Sequence, residues 1–160
     1  QIIPAAPPRK TVSAVFTYYD PYDPKQSPGL GWSSSGWYVT MPSPYLPIPL
    51  FFGAAHRESG LYGKLFYGHF KNGKSQLKCY LYVMDSGPSN KRQIDIAATG
   101  KYVSMVRPFL SWRGHNSPHQ LEEIASFYTR GQRYRTMPTP KQIEEKIKRG
   151  DFNFATAALP

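Results

Sequence analysis

The sequence predicts a mainly β protein: an antiparallel β-sandwich or partly open barrel of about five to seven strands, with two short helices near the C-terminus. Three observations carry this. Two apolar-aromatic runs, 64–70 and 76–85, flank Lys71-Asn72-Gly73-Lys74-Ser75, and Asn-Gly is the strongest short-range hairpin signal because both residues tolerate positive φ. In the second run Leu77, Cys79, Leu81 and Val83 alternate with Lys78, Tyr80, Tyr82 and Met84, the period of a strand with one face in a core and one toward water. A third run, Gln93 to Val106, is open to bending or bulging at Gly100 and should end at Pro108. The predicted core is Val12, Phe16, Trp37, Val39, Leu65, Leu77, Leu81, Val83, Ile94, Ile96 and Val106.

Taken in order, residues 1–10 hold three prolines and end in Arg9-Lys10, which reads as an extended arm without ladder bonding. Residues 11–160 read as one β-rich domain, since a 160-residue chain buries about two-thirds of its unfolded surface and needs no metal or disulfide staple. Thr11 to Tyr19 alternates β-branched and aromatic residues and reads as a strand, closed by the loop Asp20-Pro21-Tyr22-Asp23-Pro24. Gly31-Trp32 and Gly36-Trp37 read as packed tryptophans rather than docking motifs, and 37–41 as a short strand. Pro42, Pro44, Pro47 and Pro49 exclude a central strand from the apolar stretch that follows. That stretch is the candidate interface, through Pro44, Tyr45, Pro47, Pro49, Phe51 and Phe52.

Helices are expected near 118–130 and 140–149. Ser117 can cap the first, with Pro118 at its first position and Leu121, Ile124, Ala125 and Tyr128 as its apolar stripe. Thr139-Pro140-Lys141-Gln142 repeats the device, Gly150 stops it, and only Ile143 and Ile147 are apolar, so this helix should dock lightly. Between them, Tyr128, Arg130, Arg133, Tyr134 and Arg135 alternate cations with aromatics, the composition that contacts phosphate and stacks on unpaired bases.

The formal charge of +10 supports attraction to phosphate-rich or anionic partners such as RNA. No run approaches the about 20 apolar residues of a membrane span, and no basic-then-apolar leader is present, so the chain reads as soluble, in a virion or the cytoplasm. Beginning at Gln1, it reads as a processed product or a fragment. Cys79 is the only cysteine and points inward, a buried inert thiol. His115 and His119 are the closest imidazoles, yet Pro118 interrupts their spacing and no third ligand is near, so no metal and no cofactor are assigned. His56 and His69 read as loop and strand residues, and no catalytic motif is present.

Pro44-Tyr45-Leu46, the runs 64–70 and 76–85, and 93–106 ending in Arg107-Pro108 together resemble the second half of the β jelly-roll of picornavirus-like capsid proteins. The resemblance covers 37–108. It implies a structural protein whose proline-rich segments contact sister subunits and whose basic residues face a genome. The expected function is therefore a non-enzymatic, capsid-like assembly protein able to contact nucleic acid. A basic RNA-binding or ribosome-associated module is the alternative, and a basic nuclease or toxin using His115 or His119 a third reading.

Overall fold

In the computed structural model, residues 10–111, 118–129 and 137–152 are described. The strands are β1 (Thr11–Tyr19), β2 (Leu50–Ala54), β3 (Lys64–Asn72), β4 (Ser75–Asp85), β5 (Gln93–Ala97) and β6 (His119–Ser126), with helices α1 (Lys101–Val106) and α2 (Pro140–Arg149). They close into a barrel in the order β1-β5-β2-β4-β3-β6. The mainly β expectation holds and the barrel form of it is the one found, but the sheet is closed and mixed. β1 pairs β5 and β2 pairs β4 in parallel, where an antiparallel sheet was expected. Neither parallel pair joins consecutive strands: β1 reaches β5 through residues 20–92, which include β2, β3 and β4, and β2 reaches β4 through 55–74, which include β3.

The β3–β4 hairpin forms where the sequence places it. Asn72 pairs with Ser75 around a two-residue loop, and Gly73 takes φ 59° at the first central position, as the II′ hairpin turn requires.

Three other elements differ from expectation. Residues 119–126 form β6, not a helix, because β1 and β3 each offer it an open edge: Val12 pairs Leu121 and Tyr67 pairs Glu122. Ser117, its expected cap, lies outside the described residues. The run from Gln93 is strand only to Ala97; Gly100, at φ 56°, turns the chain into α1 and a 3-10 turn at Arg107–Phe109. Residues 37–41 form no strand, only a Trp32–Tyr38 bridge.

The alternation along β4 is real, but beyond the exposed Lys78 neither face is wet. Leu77, Cys79, Leu81 and Val83 join Phe16, Phe51, Phe66, Ile94, Ile96 and Leu121 inside the barrel. Tyr80, Tyr82 and Met84 face outward into a second apolar cluster with Val39, Leu46, Met137 and Ile143. The expected core holds except that Val12 and Trp37 are only partly buried. α2 keeps its capping box, Thr139 Oγ1 accepting from Gln142 N at 3.1 Å and Gln142 Oε1 accepting from Thr139 N at 2.9 Å. As expected it docks lightly, through Ile143, its one buried residue at 0 % exposure, with Ile147 partly buried beside it. Two bonds seal this layer, Trp37 Nε1 to Met137 O at 2.8 Å and Tyr82 OH to Pro138 O at 2.8 Å.

Gly63 pins three strands together. Its N–H donates to Val83 O at 2.7 Å, its carbonyl accepts from Phe127 N at 2.8 Å, and at φ 76° an added Cβ would lie 2.1 Å from Tyr128 Cβ. Gly73 also has positive φ, but nothing lies within 4 Å of its missing Cβ. Gly73→Ala should therefore cost about 1 kcal/mol from backbone conformation alone, and Gly63→Ala at least twice that, measured by urea unfolding. Equal losses would show that the pinch at Tyr128 relaxes freely.

Candidate active site

Most of the expected nucleic-acid-binding residues fall outside the described part of the chain. Arg130, Arg133, Tyr134 and Arg135 lie outside the described residues, as do residues 1–9 of the arm and His115. Tyr128 is described and packs edge-on against Tyr62 at 5.0 Å. Within the expected interface, Pro44, Tyr45 and Pro47 are exposed and Pro49 half-buried. Phe51 and Phe52, at 1 % and 3 % exposure, are barrel residues of β2 and present no surface to a partner. Strand pairing on both sides of β2 is the reason.

The three described histidines each make a local packing or hydrogen-bond contact. His119 stacks on Phe16 at 4.9 Å and meets Phe70 edge-on at 5.0 Å, with Nε2 donating to Phe109 O at 2.7 Å. His56 Nδ1 accepts from Glu58 N at 3.0 Å, closing a turn. His69 Nε2 lies 3.1 Å from Gln76 Oε1 across the hairpin. Among the described residues no group of three or more His, Cys, Asp or Glu is placed to hold a metal, and no helix is long and apolar enough to cross a membrane.

A different constellation emerges from the strand ends. Asp85 closes β4 and Asp95 lies within β5 between Ile94 and Ile96, both inside the barrel. Alternation therefore turns the Asp95 carboxyl to the outer surface. There it joins Asp85 and Tyr19 in a cleft of ≈ 300 Å³ whose opposite wall is the loop carrying Gln26, Ser27, Gly29 and Trp32. Trp32 is 60 % exposed.

The loop is held open by its own bonds. Asp20 Oδ1 accepts from Tyr22 N at 2.9 Å, Gln26 Oε1 from Asp20 N at 3.0 Å, and Ser33 Oγ donates to Trp37 O at 2.8 Å. Leu30 takes φ 48° and Gly31 φ 94°, two successive left-handed positions ahead of Trp32, and a Cβ on Gly31 would meet the Tyr38 ring at 2.5 Å. The indole is thereby seated against Tyr38, centroids 5.2 Å apart, which in turn stacks on Tyr22 at 5.8 Å. A row of three aromatics flanks the acids.

The two carboxyls have different surroundings. Asp85 accepts three bonds: Oδ1 from Ser34 N and Ser86 N, each at 2.8 Å, and Oδ2 from Tyr19 OH at 3.4 Å. Asp95 accepts one from Thr17 Oγ1, at 2.9 Å. Burial pushes the Asp95 carboxyl above its usual range; the Thr17 bond pulls it down and the Asp85 charge raises it. Burial, followed by the charges of Asp85 and Asp95, also holds the Tyr19 phenol far above its ordinary value, so it stays a donor. Two half-buried acids thus share one cleft, Asp95 accepting one hydrogen bond and Asp85 three.

Comparison of the chain with protein-family models, with curated proteins and with solved structures returns no match.

A carboxyl whose folded-state pKa lies above its unfolded value binds more protons when folded, so its contribution to stability is lost as pH rises through the folded value. Asp95→Asn should therefore raise the Tm at pH 7, with the gain vanishing near pH 3, below the unfolded carboxyl range of about 3.9. A loss of Tm at pH 7 would show that Asp95 is structural. Burial also pushes the Cys79 thiol up to about 12. It should stay inert to a thiol reagent at pH 8 until urea unfolds the barrel.

Proposed function

We propose that the chain is an acid–base enzyme that cleaves glycosidic bonds in a neutral saccharide chain. The observation that carries this reading is the pairing of Asp95, held toward its protonated form by burial, with Asp85, an acceptor of three hydrogen bonds, on one cleft. Glycoside cleavage uses two carboxyls in these two states. Asp95 gives its proton to the bridging oxygen as the carbon–oxygen bond breaks, and Asp85 takes a proton from the water that attacks. The exposed Trp32, backed by Tyr38 and Tyr22, supplies the flat apolar face on which a sugar ring stacks, and Gln26, Ser27 and Ser86 supply polar partners along the rim.

The test is release of reducing ends from a panel of soluble neutral polysaccharides. Asp95→Asn and Asp85→Asn should each lower kcat by about 10²–10⁴-fold, and Trp32→Ala should raise KM on long chains while leaving kcat nearly unchanged. Failure of the native protein to cleave or bind any member of the panel overturns this reading.

A second reading keeps the chain as a capsid-like, jelly-roll-related assembly protein that contacts sister subunits and uses its basic surface on RNA. It is supported by Tyr45, 78 % exposed between two exposed prolines, and by the formal charge of +10. It requires that light scattering give particles larger than a monomer, that Tyr45→Ser dissociate them, and that RNA affinity fall steeply with salt.

A further inference from the structure

Between β1 and β5 lies a chain of two hydrogen bonds that runs from an amide through a hydroxyl to a carboxyl. The parallel register sets Thr17 opposite Asp95 and Val15 opposite Gln93, so Gln93 and Asp95 flank Thr17 on the outer face. Gln93 Nε2 donates to Thr17 Oγ1 at 2.7 Å, and Thr17 Oγ1 donates to Asp95 Oδ1 at 2.9 Å. An amide NH₂ has hydrogens to give and no lone pair to offer, and a hydroxyl has a single hydrogen. With Gln93 on one of its two lone pairs, Thr17 keeps its single hydrogen to give to Oδ1. That oxygen is then committed as an acceptor, leaving Oδ2 as the one that carries the acid proton.

We propose that Gln93 is a positioning residue which, by polarising Thr17 toward Asp95, keeps Oδ1 as an acceptor and places the transferable proton of Asp95 on Oδ2. This rests on the acid role given to Asp95 above, and adds which oxygen holds the proton and which remote side chain puts it there. Gln93 itself touches no substrate. The arrangement answers a particular problem of a buried acid. A carboxyl free to rotate presents its proton on either oxygen and in several directions, whereas one gripped at Oδ1 presents it from a single place. The grip also opposes the burial that raises the Asp95 pKa, since a donor favours the charged form. The other groups facing Asp95 are Asp85 at the end of β4 and Tyr19 on β1. β2 contributes Ala54, and the loop wall Gln26, Ser27, Pro28, Gly29 and Trp32, none of them charged.

The experiment follows the Asp95 carboxyl carbon by NMR in protein with ¹³C-labelled aspartate, the signal assigned by its loss in Asp95→Asn. Thr17→Val removes the donor and should shift the Asp95 titration upward, while Thr17→Ser, which keeps the hydroxyl, should restore it. Gln93→Glu reverses the polarity, since a carboxylate only accepts. Thr17 then turns its hydrogen to residue 93, and the Asp95 midpoint should rise at least as far as in Thr17→Val. Gln93→Leu, neutral and without a donor, separates polarity from added charge and should give a smaller upward shift. An Asp95 midpoint that falls or stays fixed in Thr17→Val, in protein whose thermal unfolding matches the native chain, overturns the proposal, because a fall means that Thr17 accepts from Asp95. No substrate enters this measurement, so it stands apart from the success or failure of the cleavage assay. Where cleavage is found, the alkaline limb of kcat/KM should move upward in Thr17→Val and Gln93→Glu and return in Thr17→Ser.

Discussion

The parallel pairing of β1 with β5 is the contact on which this structure turns. β1 is nine residues and β5 five, and they meet only because the chain between them makes its own hairpin elsewhere and returns. Their register does two things at once. It closes the barrel, setting Phe16 beside Ile94 and Tyr18 beside Ile96, and it sets Thr17 beside Asp95 on the opposite face. Moving either strand by one residue would exchange the faces, driving a carboxyl into an aromatic core and bringing isoleucines to the cleft. The cost of burying a carboxyl among Phe16, Phe66 and Phe70 makes that slip prohibitive. The core thus locks the site's geometry.

How far the sequence reveals this depends on the range of the interaction that decides each element. The β3–β4 hairpin is legible because its determinant is local: Gly73-Lys74 reverses the chain in two residues between Asn72 and Ser75. α2 is legible for the same reason, since Thr139, Pro140 and Gly150 supply its start and stop within its own length. β6 is not. Leu121, Ile124 and Ala125 sit at helical spacing by coincidence, only Leu121 is fully buried, and a register shift at Leu65/Phe66 breaks the strict alternation that would have marked a strand. What decides β6 is the pair of unfilled edges on β1 and β3, neither of them a near neighbour in sequence.

The cleft is harder still to read, because its acids are ten positions apart and on different strands. One trace was present. In Gln93-Ile94-Asp95-Ile96-Ala97 an acid alternates with two core isoleucines, so it must lie on a face that the barrel does not fill, beside an amide two residues away. Asp85 gave no such trace, since an acid at the end of a strand is what any solvated turn would have. Its role is visible only once Ser34, from a loop 51 residues earlier, is seen to donate to it. The outer aromatic face of β4 misled for a related reason. Tyr80 and Tyr82 are amphipathic and suit a wet surface, but here α2 and the segment around Val39 and Leu46 cover them.

The cleft also explains the distribution of charge. The chain carries twice as many cations as acids, 20 against 10, yet among the described residues the cleft is lined by Asp85 and Asp95 and by no lysine or arginine. A cation on that wall would pair with Asp95 and favour its charged form, removing the condition that separates the two carboxyls. Tyr19 is a neutral solution to the same need: it offers Asp85 a hydrogen without offering a charge, and its own burial keeps that hydrogen in place. Thr17 does for Asp95 what Tyr19 does for Asp85, through a hydroxyl on the same strand. In a cleft built from hydroxyl donors and two acids, on the outside of a barrel whose aromatic interior forbids any other register, the β1–β5 pair that stabilises the core also places Tyr19, Thr17 and Asp95.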